Sequence, residues 1–231
     1  GAIVPTLSNL DAMLLATRQI NDAGGVLGKE LNVIGLYSPT TEDAVKQAQK
    51  LLENDIKIMN VGFSSRSRAV SELTIPAKIP LISNSATSPF FTSYNDDDLY
   101  FRVSPSDVIQ SRILAELAIE QGLLTAVTVH NAEDQYGITL TEHFVADFES
   151  LGGTVLAQIT VPSTITSGFS QYLQIIDDLM PDVVLESLIE GDESANFINE
   201  SVAFGIQARY FLPDSSAGVA SFANNIADVN S

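Results

Sequence analysis

Hydrophobic positions along the chain follow two alternating periods. Leu10, Met13, Leu14, Thr17 and Ile20 recur at helical spacing, and Gly24-Gly25 closes that run as a helix stop. Residues 31–37 read as a strand. Thr40 with Asp43 offers a cap for a second helix, whose inner face carries Ala44, Ala48, Leu51 and Leu52. A strand over 56–61 ends at Gly62, and a helix is expected over 66–77. An apolar strand at 79–82 comes next, then a short strand at 99–103. Ser104-Pro105-Ser106 is a helix entry for 107–121, which ends at Gly122. The series then repeats, with strands over 125–130, 154–161, 182–187 and 208–212 and helices over 136–151, 169–179 and 194–204. Such regular alternation predicts an α/β fold of parallel sheets with helices on both faces. Two series predict two Rossmann-like lobes, 1–118 and 119–231, joined near residues 116–122. Residues 215–231 are rich in small side chains and Asn and read as a loop with a fragment of helix.

Charge narrows the partners. The 231 residues carry 11 Lys+Arg against 29 Asp+Glu, a formal net charge of -18, so nucleic acid and anionic membrane are not expected partners. Hydrophobic residues make up 45% of the chain, enough for a sizeable core, yet no segment approaches a membrane span. The absence of Cys excludes disulfides, thiol catalysis and thiolate metal sites. His130 and His143 are too isolated for a zinc site, and Asp96-Asp97-Asp98 lacks the spacing of a calcium loop. Gly24, Gly25, Gly28 and Lys29 do not have phosphate-loop spacing. No nucleophile elbow and no acid, base and nucleophile set occurs, so neither an enzyme nor a cofactor is expected.

The most informative segment is Ile79-Pro80-Leu81-Ile82-Ser83-Asn84-Ser85-Ala86-Thr87-Ser88-Pro89. An apolar strand runs into small hydroxyl residues at its carboxyl end, the place where open α/β sheets bind ligands. Hydroxyls and backbone N–H groups donate without adding charge, which suits a carboxylate or a similar polar head group. That chemistry is holding, not cutting.

Several stretches, in this order, resemble the type I periplasmic binding proteins, in particular the leucine/isoleucine/valine-binding branch. They are Ile20-Asn21-Asp22-Ala23-Gly24-Gly25-Val26-Leu27-Gly28-Lys29, Val61-Gly62-Phe63-Ser64-Ser65, and the 79–89 segment. Phe101-Arg102-Val103-Ser104-Pro105-Ser106-Asp107, Asp134-Gln135-Tyr136-Gly137 and Pro181-Asp182-Val183-Val184-Leu185 complete the set. The resemblance implies a periplasmic or extracellular solute-binding protein of an ABC importer. It would be a monomer that takes an amino acid or another organic carboxylate in the cleft between its lobes and delivers it to a permease. The alternative is a ligand-sensing domain of a signalling receptor with the same fold. Relative to the family, the loop after the first strand is short, and the chain is expected to be partial at its C-terminal side, without the return crossover. A signal peptide is not in the sequence shown.

The resemblance also places candidate ligand residues. Carboxylate grips fall on Ser64 or Ser65 and on Ser85, Ala86 and Thr87, with a helix N-terminus adding partial positive charge. Plain N-capping is the competing reading for Ser64 and Ser65, and a turn before Pro89 is the competing reading for Thr87. Tyr136 matches a Tyr that packs over the ligand or bonds its ammonium, or else packs at a helix start. Asp214 falls where the family often places an acid for the α-ammonium. Glu186 and Glu190 are rivals for that role, and either could instead be an ordinary exposed charge. Phe63, Phe90, Phe91 and Tyr94 either line an aromatic-friendly pocket or pack their loop.

Overall fold

Parallel strands and covering helices alternate along the computed structural model, which describes residues 2–4, 7–188 and 191–216. β1 (Ala2–Val4), α1 (Leu7–Asp22), β2 (Gly35–Tyr37), α2 (Thr41–Leu52), β3 (Met59–Val61), α3 (Ser64–Thr74), β4 (Leu81–Ser83) and β5 (Tyr100–Arg102) build the first sheet and its cover. Its order is β2-β1-β3-β4-β5, all parallel. α4 (Asp107–Glu120), β6 (Thr125–Asn131), α5 (Gln135–Ser150), β7 (Thr154–Val161), α6 (Ser170–Leu179), β8 (Val183–Ser187), α7 (Gly191–Phe204) and β9 (Arg209–Phe211) follow. They form a second parallel sheet in the order β7-β6-β8-β9. The second sheet thus winds as the first four strands of the first one do.

The chain divides into a first unit ending at Pro105 and a second beginning at Ser106. The sequence put its division after residue 118, which would leave most of α4 in the first unit. Packing explains the difference. Ala115 and Ala118 of α4 join Phe144 and Phe148 of α5 over Ala126, Val183 and Leu185, and the Ser111 hydroxyl donates to Asp147 at 3.3 Å. On the opposite face of the same sheet, Val127, Val129 and Val184 pack against Leu173, Ile176, Phe197 and Ile198 of α6 and α7. Consecutive residues such as Ala126 and Val127 therefore serve opposite layers, as the pleat dictates. The first unit has its own core of Met59, Val61 and Leu81 beneath Ala44, Ala48, Leu51 and Val70.

Local signals account for most boundaries. Thr40 caps α2 by accepting from the Asp43 N–H at 3.1 Å, and its hydroxyl donates to the Asp43 carboxylate at 2.7 Å. α1 stops where the Gly25 N–H returns to the Ile20 carbonyl at 2.9 Å, with Gly24 and Gly25 both at positive φ. Two expectations change. The strand over 31–37 contracts to Gly35–Tyr37, because the Asn21 side chain takes both backbone groups of Leu31, at 2.8 and 2.9 Å. The helix expected over 66–77 begins at Ser64 and stops at Thr74, two residues before Pro76. Residues 217–231 lie outside the described part. Among the described residues no helix is long and apolar enough to cross a membrane.

Phe148 is fully buried and stacks on Phe144 with ring centroids 5.3 Å apart. Phe148→Ala is expected to destabilise the second unit by about 3–5 kcal/mol, measured by denaturant unfolding. A loss below about 1 kcal/mol would show that this face of the sheet does not carry the core.

Candidate functional site

Sheet order fixes where a polar site can stand. In the first sheet the connection after β1 runs outward to β2, while the one after β3 runs the other way to β4. The carboxyl ends of β1 and β3 therefore flank a crevice at the topological switch point. Residues 5 and 6 lie outside the described part, so the observable wall is the turn from β3 into α3.

That turn is strained and held. Phe63 sits at the N-cap of α3 with φ 61 and ψ 146, a conformation that a large side chain rarely adopts. Its N–H donates to the Ser85 hydroxyl at 3.0 Å, and its carbonyl accepts from the Ser67 N–H at 2.9 Å. The guanidinium of Arg66, itself buried, lies 4.4 Å from the centre of the Phe63 ring and donates to the Pro39 carbonyl. With Phe63 at the cap, neither Ser64 nor Ser65 takes the N-cap position. Ser64 is buried and accepts from the Ser88 N–H at 3.1 Å, tying the start of α3 to the loop after β4. Ser65, half-buried, is the second residue of α3.

The loop after β4 is locked from beneath. The Ser83 hydroxyl donates to the Val61 carbonyl at 2.8 Å and accepts from the Ala86 N–H at 3.1 Å. Ala86 is fully buried, and its carbonyl accepts from the Ser104 hydroxyl at 2.8 Å. Arg102, paired in register with Ser83, donates to the Thr87 and Ser88 carbonyls at 3.0 and 2.8 Å. The turn before Pro89 is made by Ser88, whose hydroxyl accepts from the Phe90 N–H at 3.3 Å. Thr87 is left out of that turn. Its hydroxyl is buried and has no hydrogen-bond partner among the described residues. Such an atom costs about 1–3 kcal/mol unless something satisfies it.

The second unit repeats the arrangement with different chemistry. Its switch point lies between the ends of β6 and β8. Asp134 caps α5 by accepting from the Gly137 N–H at 2.7 Å. Gly137 must be glycine, because a Cβ there would stand 2.8 Å from the Ser187 carbonyl and 3.2 Å from the His130 Cβ. This close approach sets Tyr136, which is buried and donates to the Asp214 carboxylate at 2.7 Å. The Gln110 amide is 3.4 Å from the same hydroxyl. Burial, and then the neighbouring Asp214 charge, hold the Tyr136 phenol protonated far above its ordinary range. Asp214 itself is exposed, on a turn closed by the Ser216 N–H on the Pro213 carbonyl at 3.0 Å.

Glu186 differs from the expectation that it meets a ligand ammonium. It is 0% exposed on β8, and both its oxygens are engaged within the unit: the Leu188 N–H donates at 2.6 Å and the Ser194 hydroxyl at 2.5 Å. Burial pushes its carboxyl up to about 7 against those two bonds, and the Glu193 charge adds to the rise. Glu190 lies outside the described residues. The aromatic set separates as well. Phe91 stacks on Tyr100 at 4.2 Å and Phe90 sits 4.7 Å from Tyr94, all against the first core, so these three pack their loop. Phe63 alone stands at the turn. His130 is a polar contact of Thr141 and Thr160, and burial lowers its pKa. Among the described residues no group of His, Cys, Asp or Glu is arranged to hold a metal.

The residues to which the sequence assigned no role at the site are Arg66, Arg102, Ser83 and Ser88. For Arg102 a signal existed. Period-2 alternation puts it on the same side of β5 as buried Tyr100, with exposed Phe101 between them.

Comparison with known proteins agrees with this geometry. Residues 5–226 match the family profile of the periplasmic binding proteins. A leucine-, isoleucine-, valine-, threonine- and alanine-binding protein of Pseudomonas aeruginosa is 25% identical over 87% of this chain and 54% of its own. Metabotropic glutamate receptor 4 of Macaca fascicularis is 24% identical over 66% of this chain and 19% of its own. Among solved structures, the leucine binding protein LivK of Thermotoga maritima superposes with TM-score 0.82 at 21% identity, over 93% of this chain and 63% of that one. An R. palustris solute-binding protein in complex with benzoate gives 0.79 at 20%, over 94% and 62%. The chain thus spans about half the length of the Pseudomonas relative. With residues 5–226 on the family profile, the chain belongs to the periplasmic binding protein family, and its fold is that of the leucine-binding protein structure it superposes on.

Proposed function

We propose that this protein is an extracytoplasmic solute-binding protein of an ABC importer, and that its ligand is a small organic carboxylate, an amino acid foremost. The observation that carries this reading is the Thr87 hydroxyl, buried and without a hydrogen-bond partner among the described residues, next to Ser88, which is bonded to the start of α3. A ligand carboxylate there gives the hydroxyl an acceptor and meets the positive end of the helix. Ser64, Ser65, Ser85 and the backbone around Ala86 stand along the same edge. In the second unit, Asp214 and the Tyr136 oxygen offer acceptors, which suit an ammonium. The Pseudomonas relative is named for aliphatic amino acids and the R. palustris structure holds benzoate, so both an amino acid and an aromatic acid belong on the panel.

A second reading has its own support. The match to a metabotropic glutamate receptor keeps a ligand-sensing role in view, in which the same residues hold a ligand and the output is a signal. Reconstitution with the partner separates the two: ligand-stimulated ATP hydrolysis by a cognate permease supports import, and its absence with intact binding supports sensing.

Thr87→Val removes the hydroxyl and keeps the shape. It is expected to weaken carboxylate binding by about 1–3 kcal/mol in calorimetry while leaving the unliganded protein as stable or more so. Unchanged affinity removes Thr87 from the site. Asp214→Asn is expected to weaken amino-acid binding by a similar ~1–3 kcal/mol and to leave benzoate binding as it was. An equal loss for both ligands would deny Asp214 an ammonium-accepting role.

A further inference from the structure

Glu186 is the most deeply buried carboxylate at the carboxyl edge of the second sheet, and the ligand-facing reading leaves it without a task. It sits at the head of a short chain of hydroxyls. Ser194, in the first turn of α7, donates its proton to Glu186 at 2.5 Å, and the Ser194 oxygen lies 3.3 Å from the Ser216 hydroxyl. All three side chains are buried. Ser216 in turn closes the 213–216 turn on the Pro213 carbonyl, and Asp214 on that turn accepts from Tyr136. Hydrogen bonds therefore run from a buried acid to Ser216, on the same turn as the exposed Asp214 carboxylate.

We propose that Glu186 is a proton-linked positioning residue for the Asp214 turn, acting through Ser194 and Ser216, so that ligand affinity rises as Glu186 ionises; the ligand part of this rests on the solute-binding reading above. The mechanism follows from donor counting. Ionised Glu186 only accepts, so the single Ser194 proton is committed to it and Ser216 must donate to Ser194. That charge-assisted chain pins the turn to α7. Neutral Glu186 carries a proton of its own, which can donate to Ser194. Ser194 then donates to Ser216, every donor in the path reverses, and the charge assistance is lost. The titratable groups facing Glu186 are Glu193 from α7, which accepts from Asn131 of β6 at 2.8 Å, and Tyr210 from β9. The Glu193 charge disfavours a second negative charge, Tyr210 stays a neutral phenol, and burial raises the Glu186 carboxyl to about 7, so the switch falls near neutrality.

The sign for stability is opposite to the sign for binding. Folded Glu186 holds its proton more tightly than unfolded Glu186, so stability falls as pH rises from the ordinary carboxylate range to about 7 and is level above it. Glu186→Gln imitates the neutral acid, its oxygen accepting from Leu188 and its amide donating to Ser194. It should raise the melting temperature at about pH 8 and leave it unchanged below about pH 4.5.

The test is an amide NMR titration of the full chain from about pH 5 to about pH 9, with wild type, Glu186→Gln and Ser194→Ala compared. The Asp214 and Ser216 signals are expected to shift together near neutral pH in wild type and to stay still in Glu186→Gln. In Ser194→Ala the Leu188 amide should still report the Glu186 proton while residues 214 and 216 no longer do. Calorimetry with L-leucine should show affinity rising about fivefold or more across the range in wild type and not in Glu186→Gln. The proposal is overturned if residues 214 and 216 do not shift, if their shift persists in either variant, or if bound L-leucine shows no pH dependence. If neither L-leucine nor benzoate binds at any pH, the solute-binding reading falls, and the titration still decides whether Glu186 governs the turn.

Discussion

A parallel sheet that starts at a central strand and winds first to one side, then to the other, leaves one place where successive loops part. Right-handed crossovers make this unavoidable, and it happens twice here. Each time, the carboxyl ends of the strands and the N-terminus of a helix are brought together. The two sheets meet this with the same device. Ser64 at the start of α3 accepts from Ser88 after β4, and Ser194 at the start of α7 meets Ser216 after β9. A serine in the first turn of the helix after the third strand ties down the loop after the fourth strand, so the loop's position follows from the sheet.

The bonds around the first switch point hold what the chain alone would not adopt. A phenylalanine at φ 61 and a buried hydroxyl without an acceptor are each unfavourable by about 1–3 kcal/mol. They persist because Ser85, Ser67, Arg66, Arg102 and Ser104 fix the backbone on every side. Such a surface is held in one arrangement by its own chain. The second unit is more adaptable. Asp214 stands exposed on a turn, and its orientation depends on Tyr136 and on hydroxyls that can reverse direction.

The order of strands and helices was legible in the residues, because each element carries its own period and its own stop signal. α2 with Thr40 and α1 with its glycines lie where those signals put them. The division between units was not legible, since whether α4 packs backward or forward depends on partners, Phe144 and Phe148, that lie far along the chain. The hydroxyl segment after β4 was conspicuous in the sequence, but its internal roles were not. Ser83, Ser85, Thr87 and Ser88 look alike as letters, yet one braces β3, one caps Phe63, one turns the chain, and Thr87 alone is left over. Glu186 shows the same limit in reverse. A carboxylate near a strand end reads as a ligand partner until the pleat turns it inward, beneath α7.

Buried charge is divided unevenly between the units. Among the described residues the buried cation, Arg66, lies in the first unit, while the buried carboxylates, Asp107, Asp134, Glu186 and Glu193, all lie in the second. The first unit adds hydroxyls and a helix N-terminus to its cation, and the second adds Asp214 to its anions. A buried charge is tolerated only where hydrogen bonds or an opposite charge meet it, and each unit meets its own internally: Arg66 donates to the Pro39 carbonyl in the first, while in the second Asp134 accepts from the Gly137 N–H, Glu193 from Asn131, and Glu186 from Leu188 and Ser194.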